Sequence, residues 1–218
     1  RKPDNSEITS LNLGYLITLE YTSDSTPVVF TATIDTAKKV ITINPDSDFV
    51  SGEVVNVAIE SVEDFSDNAM SATSGTFCVV DSTAPVLTFS PANSSTMVDE
   101  DTDIILTFDE EIRLIDNSDI NNTNVDNLIT LKTTNSSGSD IDFDAVIDNS
   151  KQLITISPTS NFSSEQVVYV AIGATVEDAS NNAISASSAT LTAADSTAPT
   201  VAFVPPDASS CIPISSNV

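Results

Sequence analysis

The side chains best placed to do chemistry in this sequence are carboxylates. Asp and Glu number 32 against 7 Lys and Arg, and His does not occur. Carboxylates and carbonyls are hard oxygen donors, and several of them together suit calcium. They gather in a turn that occurs twice, with Glu63, Asp64, Asp67 and Asn68 in one copy and Glu177, Asp178, Asn181 and Asn182 in the other. Each copy precedes an Asp-Ser-Thr-Ala-Pro segment, which opens at Asp81 and again at Asp195. A third acidic stretch runs from Asp99 through Asp101 to Asp103. The candidate calcium ligands are therefore Asp64, Asp67, Asn68, Asp81, Asp99, Asp101, Asp178, Asn182 and Asp195. The same residue types also serve Asx-turns, where a short acceptor side chain bonds its own backbone and needs no metal. An EF-hand loop, with its spaced ligands and central Gly, is not among the motifs.

Other chemistries find little to work with. Without His, a Ser-His-Asp or Cys-His arrangement cannot form, and zinc loses its usual ligands. Asp109 and Glu110 are adjacent carboxylates of the kind a glycosidase uses, but chance pairs are expected in so acidic a chain. Only five Gly occur, with no phosphate-cradling loop. Catalysis is not expected. The formal net charge of -25 argues against nucleic acid and against anionic membrane surfaces, both of which need a basic footprint. Acidity can signal disorder, yet 40% of residues are hydrophobic, enough to build a core. No apolar run is long enough for a membrane-spanning helix, and the Arg1-Lys2-Pro3-Asp4 start carries no signal-peptide core. Sequons at Asn93, Asn121, Asn135 and Asn161 fit exposed loops.

The elements that must position these residues are repeated. The stretch from Asp35 to Val57 matches that from Asp148 to Val170, as in AKKVITINPDSDF against SKQLITISPTSNF. The match continues through SVEDFSDNAMSAT and TVEDASNNAISAS into the two DSTAP segments. The period is about 113 residues, a domain rather than a solenoid unit. Pro85 and Pro199 stiffen the junctions. The expected organisation is an incomplete repeat at 1–84 lacking its first strands, a complete repeat at 85–198, and the opening strand of another at 199–218.

Within the complete repeat, short apolar runs alternate with polar turns. The expected strands are Val86–Phe89, Ile104–Phe108, Leu128–Lys132, Ile141–Ile147, Leu153–Ile156, Val167–Ile172 and Ala189–Ala193. Glu110 to Asn127 could hold a helical turn or a loop. Seven short strands over a domain of this size predict an all-β Greek-key sandwich.

The motifs APVLTFSPANSSTMV, LTFDEEI, ITISPTSNF, VVYVAI and VEDASNNAIS, with ITINPDSDF and VEDFSDNAMS in the other copy, resemble bacterial Ig-like repeats of the S-layer type (the Big_5 or SbsA-like group). The resemblance covers nearly the whole chain and implies tandem immunoglobulin-like β-sandwiches. It implies a secreted or cell-surface setting in stalks, S-layers, filaments or adhesins, and non-catalytic structural work. Partners would be copies of the chain or adjacent repeats joined end to end. A glycan or protein ligand held by sandwich-end loops is the alternative, although Trp is absent and aromatics are 6%. Such repeats often carry Gly where this chain has Asp67 and Asn181, so the turn there is expected to differ.

The repeat register makes one further point. Arg1 aligns with Arg113 and Val218 with Ile104. The eight residues Ile105 to Ile112, an inner strand, separate the two and would span about 26–29 Å. The end pieces together make almost one domain, to be completed by another subunit or by further chain. Cys78 and Cys211 fall in those two pieces, at the positions of Thr192 and Met97. We expect a disulfide between Cys78 and Cys211 of neighbouring copies. The alternative is two unpaired buried thiols.

Overall fold

A computed structural model of the chain describes residues 1–202. They divide into two compact units, residues 1–84 with 179–182, and residues 85–178 with 183 onward. The first contains β1 (Ile17–Tyr21), β2 (Phe30–Ile34), β3 (Ile41–Pro45), β4 (Val54–Ile59), β5 (Val62–Glu63), β6 (Ala69–Met70) and β7 (Thr73–Cys78). The second contains β8 (Leu87–Ser90), β9 (Ser95–Val98), β10 (Ile104–Phe108), β11 (Arg113–Leu114), β12 (Ile129–Thr133), β13 (Phe143–Ile147), β14 (Leu153–Pro158), β15 (Val167–Ile172), β16 (Val176–Glu177) and β17 (Ser187–Ala193).

The second unit is a two-layer sandwich. One sheet has the order β13-β14-β10-β8 and the other β12-β15-β17-β9. Successive strands change sheet between β10 and β12, and again between β14 and β15, which is the Greek-key arrangement of an immunoglobulin-like domain. Period-two alternation makes this possible, because it places one apolar face per sheet toward the other. In β15, Val168, Val170 and Ile172 point inward; in β14, Ile154 and Ile156 do. Between them lie Ile104, Leu106 and Phe108 of β10 in one continuous core.

Local turn chemistry sets the hairpins. The Asp148 carboxylate accepts backbone N–H bonds from Gln152 and Leu153 at 2.9 and 3.0 Å, with Lys151 left-handed at φ 57°. Asp35 does the same for Lys39 and Val40, with Lys38 at φ 56°. Thus the same turn joins β2 to β3 and β13 to β14.

All seven expected strands form, two of them (β10 and β15) with the expected ends and the other five with shifted ends. Three more appear: β9, β11 and β16. β9 is four residues long and contains the left-handed Met97, so it carries no clean alternation to read. The ambiguous 110–127 stretch holds β11 and the start of a 3-10 turn at Val125–Leu128. This turn seats Val125 in the core.

The first unit repeats part of this plan. β1-β4-β7 matches β12-β15-β17, and β2-β3 matches β13-β14. Its small buried cluster is Ile8, Leu13 and Ile17. Among the described residues, β3 pairs only with β2 and β7 only with β4.

Candidate functional site

The VED turns are built as Asx-turns. In the first unit, Asp64 Oδ1 accepts the N–H groups of Ser66 and Asn68 at 2.7 and 3.0 Å, and its Oδ2 accepts from the Asn68 carboxamide at 2.9 Å. The Asn68 side chain, then its N–H, holds the Asp64 carboxyl below its ordinary range. Asp67 stands left-handed at φ 63° and Asn181 at φ 70°. The turn therefore forms here without Gly, because Asp and Asn are the non-glycine residues that tolerate this region best. In the second unit Asp178 follows β16 and is buried, as is Glu177. Asn182 lies half-buried in the same turn.

Each turn is anchored by an ion pair of the same design. Arg113 Nε lies 3.2 Å from Glu177 Oε1, and Arg1 Nε lies 3.0 Å from Glu63 Oε1. Arg1 also reaches Asp67. The scarce lysines are similarly committed. Lys151 Nζ donates to the Ile120 carbonyl at 2.5 Å, and Lys38 Nζ to that of Ile8 at 2.9 Å. Lys132 pairs with Asp140 at 2.5 Å. Five of the seven cations thus hold loops in place and form no basic patch.

The junction aspartates act as clasps. Asp195 Oδ1 accepts from Ser164 Oγ at 3.0 Å and from the Thr197 N–H at 2.9 Å, while the Ser196 N–H donates to Ser164 Oγ. Asp81 Oδ1 accepts from Ser51 Oγ at 2.8 Å and from the Thr83 N–H at 3.0 Å, while the Ser82 N–H donates to Ser51 Oγ. The acidic loop lies at the Asp195 end of its unit: Ser196 Oγ donates to Glu100 at 2.5 Å, and the Ala194 N–H to the Val98 carbonyl. Asp99 and Asp101 are exposed there. Within the second unit, Asp178 precedes β17 and Asp195 follows it, at opposite ends of a seven-residue strand roughly 23 Å long. Asp64 and Asp81 flank β7 in the same way.

Cys78 ends β7 and is exposed, so it is no buried thiol. Cys211 lies outside the described residues. Beside β7 the first unit is open. Two clefts run between its sheets, of about 560 and 300 Å³, both reaching Ile41 and Ile59; the larger also touches Ile34 and Val62, the smaller Ile43 and Val57. Phe77 is 42% exposed, although its counterpart Leu191 is 2% exposed. Of the adjacent carboxylates Asp109 and Glu110, Asp109 Oδ1 accepts the Val86 N–H at 2.6 Å and ties down the start of β8.

A sandwich of these two sheets, with β9 from near the start of the repeat lying beside its last strand β17, defines an immunoglobulin-like module. The family model for the bacterial Ig-like domain matches residues 81–193, more than half of the chain, and the chain belongs to that family. Among solved structures, the chain is similar to a biofilm-associated protein, BSP domain, with 17% identity over 84% of this chain and 25% of that one, at a TM-score of 0.29. The chain spans about a quarter of that chain's length. No curated protein matches it.

Proposed function

We propose that this chain is a non-catalytic, load-bearing structural repeat of a bacterial surface or secreted protein, a spacer in a stalk or filament. The observation that carries this reading is the parallel pairing of β9 with β17, Leu191 opposite Ser95 and Ala193 opposite Val98. β9 stands near the beginning of the repeat and β17 at its end. Tension applied through the two junctions pulls β9 toward its N-terminus and β17 toward its C-terminus. Parallel strands pulled in that sense are sheared, so their hydrogen bonds are loaded together rather than peeled in turn. Ser94 N–H to the Thr190 carbonyl at 2.7 Å and Ala194 N–H to the Val98 carbonyl at 2.8 Å bracket this contact. The Asp195 clasp stiffens the exit from β17, as a spacer needs. The family and the committed polar groups support the same reading.

Single-molecule pulling on the full chain tests it. The second unit should unfold in one high-force event. Ala194→Pro removes the donor to Val98. It should lower the unfolding force while costing only about 1 kcal/mol at equilibrium. Unfolding at low force, unchanged by Ala194→Pro, would sink the load-bearing role. Saturable binding in a glycan screen, lost on altering a sandwich-end loop, would favour the adhesin reading instead.

A further inference from the structure

We propose that the outer face of the β12-β15-β17 sheet carries a binding site for a neutral pyranose sugar, walled by the Tyr169 ring. The two repeats point to it by how they differ. β15 reads VVYVAI and β4 reads VVNVAI, so Tyr169 in place of Asn56 is the one change between them. β12 and β1 share ITL and then part, with Lys132 in place of Glu20. These two positions are cross-strand partners in both units, Lys132 opposite Tyr169 and Glu20 opposite Asn56. In the first unit the pair closes on itself, because the Asn56 carboxamide donates to Glu20 Oε1 at 3.2 Å. In the second unit Lys132 bonds instead to Asp140 at 2.5 Å, and among the described residues the Tyr169 hydroxyl has no hydrogen-bond partner. The same strand forms with Asn at this position, so the fold does not require the ring.

Val168, Val170 and Ile172 of β15 fill the core, so Tyr169 and Ala171 face outward. Ala171 stands between Thr130 of β12 and Ser188 of β17. Two strand spacings separate those hydroxyl residues, about 10 Å, which brackets one sugar ring with its substituents. A hollow of about 280 Å³ lies here, with Tyr169, Ala171 and Gly173 in its lining. The first unit has Glu60 at the place of Gly173. A pyranose has apolar C–H faces and a rim of hydroxyl groups. The faces pack on an aromatic ring and on short side chains, and the rim needs donors and acceptors around the edge. The hollow offers both: the Tyr169 ring beside Ala171, and the hydroxyls of Tyr169, Thr130 and Ser188, none of which bonds within the described residues. The net charge of -25 favours a neutral sugar over an acidic one. The site lies on a sheet face of the second unit and not in a sandwich-end loop. Binding here therefore adds to the spacer role and stays distinct from the loop-borne adhesin reading.

The test titrates the full chain, labelled for amide NMR, with the methyl glycosides of glucose, galactose, mannose and N-acetylglucosamine, and with glucuronate as the anionic control. We expect at least one neutral glycoside to give saturable shifts at Thr130, Tyr169, Ala171 and Ser188, with a Kd in the millimolar range that suits a shallow, open site. Glucuronate should bind at least about tenfold more weakly. Tyr169→Asn installs the first unit's residue in the same strand, and should weaken binding at least about tenfold while the other amides keep their folded dispersion. Gly173→Glu, which places the first unit's residue type at the end of the hollow, should do the same. Silence from all four neutral glycosides overturns the proposal, as do shifts that centre elsewhere or survive Tyr169→Asn. A glucuronate response as strong as the neutral one overturns the ligand class.

Discussion

Arg113 and Glu177 form an ion pair in the second unit, with the Arg113 Nε 3.2 Å from the Glu177 Oε1. Glu177 is buried and Arg113 is half-buried. Arg113→Ala would strand a buried carboxylate. We expect a loss of about 3 kcal/mol at pH 7, because breaking one side of a buried pair leaves the other uncompensated. Denaturant melts of the two proteins at pH 7 measure it. A loss below 1 kcal/mol, the range of an exposed pair, would show that water reaches Glu177. The pair was not legible in the sequence, where Arg113 and Glu177 are 64 residues apart. The nearby turn was legible, because Asp and Asn signal it locally.

Strands and turns depend on how closely their parts approach. The loop between β12 and β13 tightens at Gly138, where a Cβ would stand 1.6 Å from the Thr133 carbonyl oxygen. Gly138→Ala must therefore displace backbone. We expect it to destabilise the second unit by about 1–3 kcal/mol. An Ala at Gly173, where the nearest group is a side-chain methyl at 3.3 Å, should cost less. Thermal melts of the two variants decide the ranking, and equal costs would contradict the close approach. Elements also decided what became of the candidate ligands. The period-two pattern announced most strands, but the placing of Asp178 and Asp195 at opposite ends of β17 follows from its length and direction.

Charge acts on the whole molecule. Asp4, Asp24, Asp35, Asp64, Asp116 and Asp148 are all held below the ordinary value of 3.8. The leading cause is a side-chain hydrogen bond in each case except Asp35, where it is the Val40 N–H. A carboxyl lowered in the folded state stabilises it above the unfolded pKa and loses that contribution as pH falls through the folded one. These turns therefore weaken only below about pH 4. Above that, protonation elsewhere relieves the self-repulsion of a net charge of -25. We expect the melting temperature to hold or rise from pH 7 to about 4.5 and to drop steeply below about 3.5. Calorimetry across that range checks it, and a steady decline beginning at pH 7 would mean that buried carboxylates, not turn carboxylates, govern acid stability.

What the sequence determined by itself was everything that short-range chemistry encodes. The doubled DSTAP and VED segments, the alternation in LITISP and VVYVAI, and the Asp-led hairpin turns specify the repeat, the β class and most strands, because each depends on residues a few positions apart. Tertiary structure alone decided which edges meet. That β9 lies parallel to β17, that Arg113 finds Glu177, and that Ile41 and Ile43 lie open while Ile154 and Ile156 are sealed are matters of neighbours distant in the chain. Two stretches with nearly the same sequence differ in burial because burial belongs to the strand that covers them, and that strand is written elsewhere.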